Sequence, residues 1–198
     1  MGGASRRMGA DKSRLVLGEL TTVEHVANAL STVASRVFTV GRSGARSSLK
    51  AFDHISDIHP NWGALGGVHA ALRACEAEWA AIVACDLPFV TNELFLRLWS
   101  LTQPGNPTTL DAVVPIQADG RPQPLCALYR REPCVKKAQG LIAAGEHTPR
   151  ALLATVSTRW VQAEELSDLP GAEHFFFNVN TPADYERAKE ILAGYSLS

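Results

Sequence analysis

Seven consecutive residues, Trp79-Ala80-Ala81-Ile82-Val83-Ala84-Cys85, form an apolar run that stops at Asp86. Successive side chains of a strand point to opposite faces, so an unbroken apolar run needs cover on both. Such cover comes from helices layered on each side of a sheet, in chains where strands alternate with helices. The run therefore predicts an α/β fold with a mostly parallel sheet, in which residues 79–85 are a strand buried on both faces.

The rest of the chain keeps that alternation. Leu15-Val16-Leu17 is a short apolar run closed by Gly18. Thr21-x-x-Glu24 is a capping box, and apolar residues at helical spacing predict a helix over 22–35. Residues 36–40 read as a strand, 43–50 as a Ser-rich loop and 52–58 as a short strand with Asp57 near its end. His59-Pro60-Asn61-Trp62-Gly63 is turn-rich and leads through Gly66-Gly67 into a helix. Thr91 caps a helix to about residue 101, and 103–109 is a loop. Strands are predicted at 112–116 and 122–129, helices at 132–144 and after Thr148-Pro149, and a strand around Trp160-Val161. Phe175-Phe176-Phe177 is predicted as the last strand, and Thr181-Pro182 opens the last helix with proline at its first position. No linker or repeat divides residues 1–198, so one domain is expected.

The densest chemical pattern is Gly2-Gly3-Ala4-Ser5-Arg6-Arg7-Met8-Gly9-Ala10-Asp11-Lys12. Glycines let backbone N–H groups approach a ligand closely, and successive N–H groups form a concavity that suits phosphate oxygens. Arg6, Arg7 and Lys12 add cations; arginine can grip phosphate with two parallel bonds, and lysine acts as a point charge. The spacing matches neither the P-loop nor the dinucleotide fingerprint. A basic chain end is the plainer reading of the same residues.

Two further patterns fall where an open α/β sheet binds ligands, beyond the carboxyl ends of its strands. Asp86 follows the apolar run, where a carboxylate must reach water, a cation or a donor. It is either a Mg²⁺ ligand, since that ion takes one or two carboxylates plus substrate phosphates, or a turn residue before Leu87-Pro88. In Phe177-Asn178-Val179-Asn180-Thr181-Pro182, alternation places Asn178 and Asn180 on one face, as neutral amides able to orient phosphate or pterin groups. Asn180 as turn support and Thr181 as helix cap would explain the same residues.

These stretches resemble the nucleotidyltransferases, and most of all the molybdenum cofactor guanylyltransferases. Gly2 to Lys12 is similar to that family's Leu-Ala-Gly-Gly-x-x-x-Arg-Met-Gly-x-Asp-Lys loop, Cys85-Asp86-Leu87-Pro88-Phe89 to its metal-binding motif, and Asn178-Val179-Asn180-Thr181-Pro182 to its Asn-x-Asn-Thr-Pro motif. Cytidylyl relatives look more like Asp-x-Asp-Thr-Pro. Trp62-Gly63-Ala64-Leu65-Gly66-Gly67 is similar to the family's Gly-Pro-Leu-Ala-Gly segment, with Ala64 in place of proline and Gly66 in place of alanine. Asp57 aligns with an acidic residue that contacts the nucleoside, and Arg121-Pro122-Gln123-Pro124-Leu125 resembles an acceptor-side strand.

The resemblance implies a Rossmann-like three-layer α/β/α fold and a defined reaction: GMP passes from GTP to the terminal phosphate of molybdopterin, and pyrophosphate leaves. It implies Arg7, Lys12 and Asp86 as catalytic residues. Gly2, Gly3, Arg7, Gly9, Lys12, Asp57 and Asp86 would hold GTP, Gly66, Gly67, Asn178 and Asn180 the acceptor, and Asp86 the Mg²⁺ cofactor. Molybdoenzymes or their chaperones are the implied further partners. Two other readings stand beside it: a sister enzyme using CTP or another phosphate acceptor, and a non-catalytic cofactor-binding or delivery protein. In the family the glycine loop runs off a first strand. This sequence opens where the family has the alanine before the two glycines, so a strand upstream of Met1 is expected, with a gap or substitute strand at the sheet's centre.

Composition narrows the partners. A formal net charge of −1 offers no basic field for nucleic acid or a membrane surface. Cys75, Cys85, Cys126 and Cys134 lack CxxC spacing, which argues against a zinc site; Cys75 and Cys85 read as small core hydrophobes. The six histidines lack HxxxH spacing, and His59 and His69 read as surface or packing residues. Arg6-Arg7 is followed by no apolar segment of a leader, and no run of about 18 apolar residues is present, so a cytoplasmic protein is expected.

Overall fold

The structure is a computed structural model that describes residues 15–41, 52–57, 62–103 and 109–195. The 43–50 loop, His59-Pro60-Asn61 and most of the 103–109 loop lie outside the described residues, as does everything before Leu15.

Described chain begins in a tight hairpin. Strands β1 (Val16–Leu17) and β2 (Leu20–Thr21) pair antiparallel. Gly18 turns between them at φ +68°, where a Cβ would also meet Leu192 Cδ2 at 2.8 Å; a residue other than glycine would be strained there by about 1–2 kcal/mol. Helix α1 (Thr22–Ser31) follows with its capping box formed: the Thr21 N–H donates to Glu24 Oε2 at 2.7 Å, and the Glu24 N–H donates to Thr21 Oγ1 at 3.3 Å. The helix stops short of residue 35 because the Ser31 and Thr32 hydroxyls turn back onto the Ala27 and Ala29 carbonyls.

Next come β3 (Phe38–Gly41), β4 (Asp53–Ser56), α2 (Gly63–Ala74), β5 (Trp79–Val83), α3 (Asn92–Ser100), β6 (Ala112–Pro115) and β7 (Cys126–Arg130). The chain closes with α4 (Arg131–Ala143), α5 (Pro149–Leu153), β8 (Thr158–Val161), two 3₁₀ turns and α6 (Pro182–Tyr195). Pro149 and Pro182 each open a helix, as their side chains favour.

A four-stranded sheet has the order β5-β7-β6-β8, and β3-β4 form a separate parallel pair. The large sheet is mostly parallel, as expected, with one reversed strand: β5, β6 and β8 run the same way and β7 runs against them. β6 and β8 are parallel, whereas β7 runs antiparallel to both β5 and β6. Its direction follows from the tight return between β6 and β7, built on Gly120 at φ +82°.

Helices cover both faces. On one, α1 and α3 pack Val26, Leu94 and Leu98 onto Val113, Leu128 and Val161. On the other, α2, α4 and α5 pack Leu65, Leu72, Ala138 and Leu152 onto Ala112, Val114, Ala127 and Tyr129. The odd and even positions of each strand thus feed different cores, which is the three-layer α/β/α arrangement. The same helices reach the β3-β4 pair: α2 rests against β3, β4 and β5, while Val23 and Ala27 of α1 gather Val37, Phe52 and Cys85.

Two expectations change. Residues 79–83 are half-buried throughout rather than buried on both faces, because among the described residues β5 pairs only with β7 and stands at a sheet edge. Phe175-Phe176-Phe177 is a turn and not a strand. Gly171 at φ +75° starts a 3₁₀ helix at Ala172–His174, and the Phe177 N–H continues the tight pattern by donating to the His174 carbonyl at 3.0 Å. The aromatic residues are apolar for packing: Phe175 is fully buried in the α3 core, and Phe177 stands edge-on to Phe89.

Candidate functional site

Asp86 lies three residues past β5, at the carboxyl end of the strand, and is half-buried. Its backbone carbonyl accepts the Val179 N–H at 2.9 Å. Val179 is 1% exposed and packs with Leu17, Phe89 and Ala188. That single bond and that anchor bring the Cys-Asp-Leu-Pro and Asn-x-Asn-Thr-Pro segments together. Asn178 and Asn180 flank the buried Val179 and are themselves half-buried. Asn178 Nδ2 donates to the Phe176 carbonyl at 3.3 Å.

The segment from Phe177 to Asn180 belongs to no strand, so its polar backbone groups must be met individually. Besides the bond to Asp86, the Asn180 and Thr181 N–H groups both donate to Asp184 Oδ2, at 3.0 and 2.8 Å. The Asp184 N–H returns a bond to Thr181 Oγ1 at 3.1 Å. This is a capping box at the start of α6 with an aspartate in its third position. Sequence reasoning named Thr181 as a cap and missed Asp184. The Thr181-x-x-Asp184 spacing was the available signal.

Helix α2 follows β4 and precedes β5 in the chain, and it rests against β3, β4 and β5. Gly66 lies in that helix with its N–H donating to the Trp62 carbonyl at 3.3 Å. At Gly67 a Cβ would meet nothing within 4 Å, so packing among the described residues does not require a glycine there. Trp62 stacks on His147 with ring centroids 4.5 Å apart, and the Leu65 N–H donates to the His147 carbonyl, joining the start of α2 to the α4–α5 connection. Asp57 follows β4, and its N–H donates to the Gly41 carbonyl at 2.6 Å.

Gly2, Gly3, Arg7, Gly9 and Lys12 lie outside the described residues. The chain that leaves Lys12 is fixed soon after. The Tyr185 hydroxyl donates to the Val16 carbonyl, His25 Nε2 bonds to the Leu17 carbonyl at 2.8 Å, and the Thr22 N–H donates to the Leu15 carbonyl at 2.9 Å. Helix α6, which begins in the Asn-x-Asn-Thr-Pro segment, therefore also holds the hairpin that follows the glycine stretch.

Other candidates are engaged elsewhere. Arg121 Nε bonds its own turn at Asp119 Oδ2, 2.6 Å away. Burial pushes the Cys126 and Cys134 thiols up to about 12, so both stay protonated and neither is a nucleophile. Cys75 and Cys85 are half-buried, and Cys85 packs as a small hydrophobe against Val23 and Ala27. His69 is buried in α2, and His59 lies outside the described residues. Among the described residues no cluster of three or more His, Cys, Asp or Glu could hold a metal ion, and no helix is long and apolar enough to cross a membrane.

The family profile described as "MobA-like NTP transferase domain" matches residues 1–164. A probable molybdenum cofactor guanylyltransferase of Pelotomaculum thermopropionicum is 31% identical over 191 residues, covering 95% of this chain and 88% of that protein. One of Carboxydothermus hydrogenoformans is 31% identical over 194 residues, covering 97% and 93%. Among solved structures, molybdopterin-guanine dinucleotide biosynthesis protein A of Archaeoglobus fulgidus superposes with a TM-score of 0.81 at 28% identity, over 98% of this chain and 96% of that one. A Thermus thermophilus 2-C-methyl-D-erythritol 4-phosphate cytidylyltransferase shares the fold, with a TM-score of 0.68 at 17% identity over 92% and 94% of the two chains.

Proposed function

The chain belongs to the MobA-like NTP transferase family, and from that premise we propose that it acts as a molybdenum cofactor guanylyltransferase. It joins GMP from GTP to the terminal phosphate of molybdopterin and releases pyrophosphate. The observation that carries this reading to particular residues is the Val179 to Asp86 hydrogen bond of 2.9 Å. It joins the backbone of the Asp86 segment to that of the Asn178–Asn180 segment beyond the end of β5, which supports a carboxylate and two neutral amides serving one phosphate-handling site.

An oxygen of the acceptor phosphate attacks the α-phosphorus in line. The bond from that phosphorus to the bridging oxygen breaks, and its electrons leave with pyrophosphate. The attacking phosphate is already ionised, so no side chain need remove a proton, and the work is positioning and charge neutralisation. Asn178 and Asn180 hold the acceptor phosphate without adding negative charge. Gly66 and Gly67 give it room against α2, and Asp57 meets the nucleoside. Gly2, Gly3 and Gly9 present backbone N–H groups to the triphosphate, with Arg7 and Lys12 as its cations.

Asp86 fits a magnesium ion by its chemistry: a hard carboxylate at a half-buried strand end, one protein ligand completed by substrate phosphates and water. The ion, when bound, offsets charge on the α-phosphate. A cytoplasmic reaction is part of the same reading.

The test is pyrophosphate release from Mg-GTP and from Mg-CTP, each with and without molybdopterin. We expect release that requires molybdopterin and runs faster with GTP by about tenfold or more, the scale of one site built to read a base. Faster turnover with CTP would move the chain to the cytidylyl branch.

A further inference from the structure

Asn178 and Asn180 sit on a segment that no β-ladder holds. Its described anchors are the Val179 side chain, the bond from the Val179 N–H to the Asp86 carbonyl, and Asp184. The Asp184 carboxylate takes two consecutive backbone N–H groups on one oxygen, those of Asn180 at 3.0 Å and Thr181 at 2.8 Å. An ordinary capping box closes on the cap residue itself, as Glu24 does on Thr21 at the start of α1. Asp184 reaches one residue further back, onto a residue placed in the acceptor site.

We infer that Asp184 is a positioning residue for molybdopterin: it fixes the backbone of Asn180 and thereby the aim of both amides at the acceptor phosphate. This rests on the guanylyltransferase reading. Two features let a carboxylate do this without repelling the acceptor. Its charge is met by the two N–H groups, and it sits in the first turn of a 14-residue helix, whose N-terminal dipole favours an anion. The adjacent Tyr185 ties the same turn to the Val16 carbonyl, so α6 has a rigid base from which to hold Asn180. Asp184 touches neither substrate in this scheme; it acts through Asn180.

A plain capping role predicts lost stability only, so the experiment sets Asp184→Ala beside Glu24→Ala, the matching break in a box that holds no acceptor residue. Melting temperature, and kcat and KM for GTP and for molybdopterin, are measured for both. Both variants should melt a few degrees lower. Asp184→Ala should lose about ten- to a hundredfold in kcat/KM for molybdopterin, the scale of misplacing a substrate-positioning group, with KM for GTP within about twofold. Glu24→Ala should keep wild-type kinetics at temperatures where it is folded. Asp184→Asn, which keeps an acceptor oxygen, should recover most of the loss. If Asp184→Ala does not fold, Asp184→Ser, whose hydroxyl is too short to take both N–H groups, carries the comparison: a selective rise in KM for molybdopterin supports the inference, and wild-type kinetics overturn it. Asp184→Ala kinetics that match those of Glu24→Ala overturn the inference alone. A wild-type chain that forms no dinucleotide from GTP and molybdopterin overturns the guanylyltransferase reading, and the inference with it.

Discussion

At the scale of single residues, Asp86 separates the catalytic reading from a structural one. Its backbone carbonyl already has a structural task in accepting the Val179 N–H, which any residue could perform. A change to asparagine keeps the shape of the side chain and removes its charge. Asp86→Asn should therefore leave the melting temperature within a few degrees and lower Mg²⁺-dependent turnover by about a hundredfold or more, the scale of losing one preorganised charge contact. A magnesium titration of turnover checks this, and wild-type dependence would make Asp86 a turn residue. Asp86 and the two asparagines were legible in sequence because a polar residue ending an apolar run, or alternating around a valine, stands out. Asp184 was not. An aspartate three residues past a threonine reads as a cap, and only the fold shows its carboxylate reaching back to Asn180.

At the scale of elements, what could be read was whatever is decided within a few residues of chain. The Thr21–Glu24 box, the Thr91 cap and the prolines opening α5 and α6 are such local choices, and each is formed. The α1 box carries a pH signature. The Thr21 N–H, and then the Thr21 hydroxyl, hold the Glu24 carboxyl below its ordinary 4.5. A group whose folded pKa is depressed stabilises above its unfolded value and loses that contribution as pH falls through the folded one. The melting temperature of wild type should thus exceed that of Glu24→Gln at neutral pH, and the difference should shrink below about pH 4.5. A constant difference from pH 7 to pH 3 would mean that the charge of Glu24 contributes nothing. Elements decided by distant neighbours could not be read this way. Phe175-Phe176-Phe177 has the composition of a strand, yet Gly171 bends the chain into a 3₁₀ turn and tertiary packing takes the aromatic rings. Residues 79–83 have the composition of a fully covered strand, yet their burial depends on what lies along the edge opposite β7.

At the scale of the whole molecule, strand and helix alternation foretold the layers but not the order β5-β7-β6-β8, because the reversed strand β7 inserts between β5 and β6. That insertion matters to function. It leaves β5, with Asp86 beyond its end, at the side of the sheet where α1 and α2 also reach β3 and β4. Helix α6 then closes the arrangement, holding the asparagine segment by Asp184 and the β1–β2 hairpin by Tyr185. In the proposed reaction this assembly moves a guanylyl group between two phosphates. The most direct measurement follows the phosphorus: the chain is incubated with Mg²⁺, molybdopterin and GTP labelled on either the α- or the γ-phosphate, and the products are separated. The α-label should appear in a molybdopterin-containing dinucleotide and the γ-label in pyrophosphate, in equal amounts. An α-label recovered as GMP, or left in GTP that binds without reacting, would contradict the account.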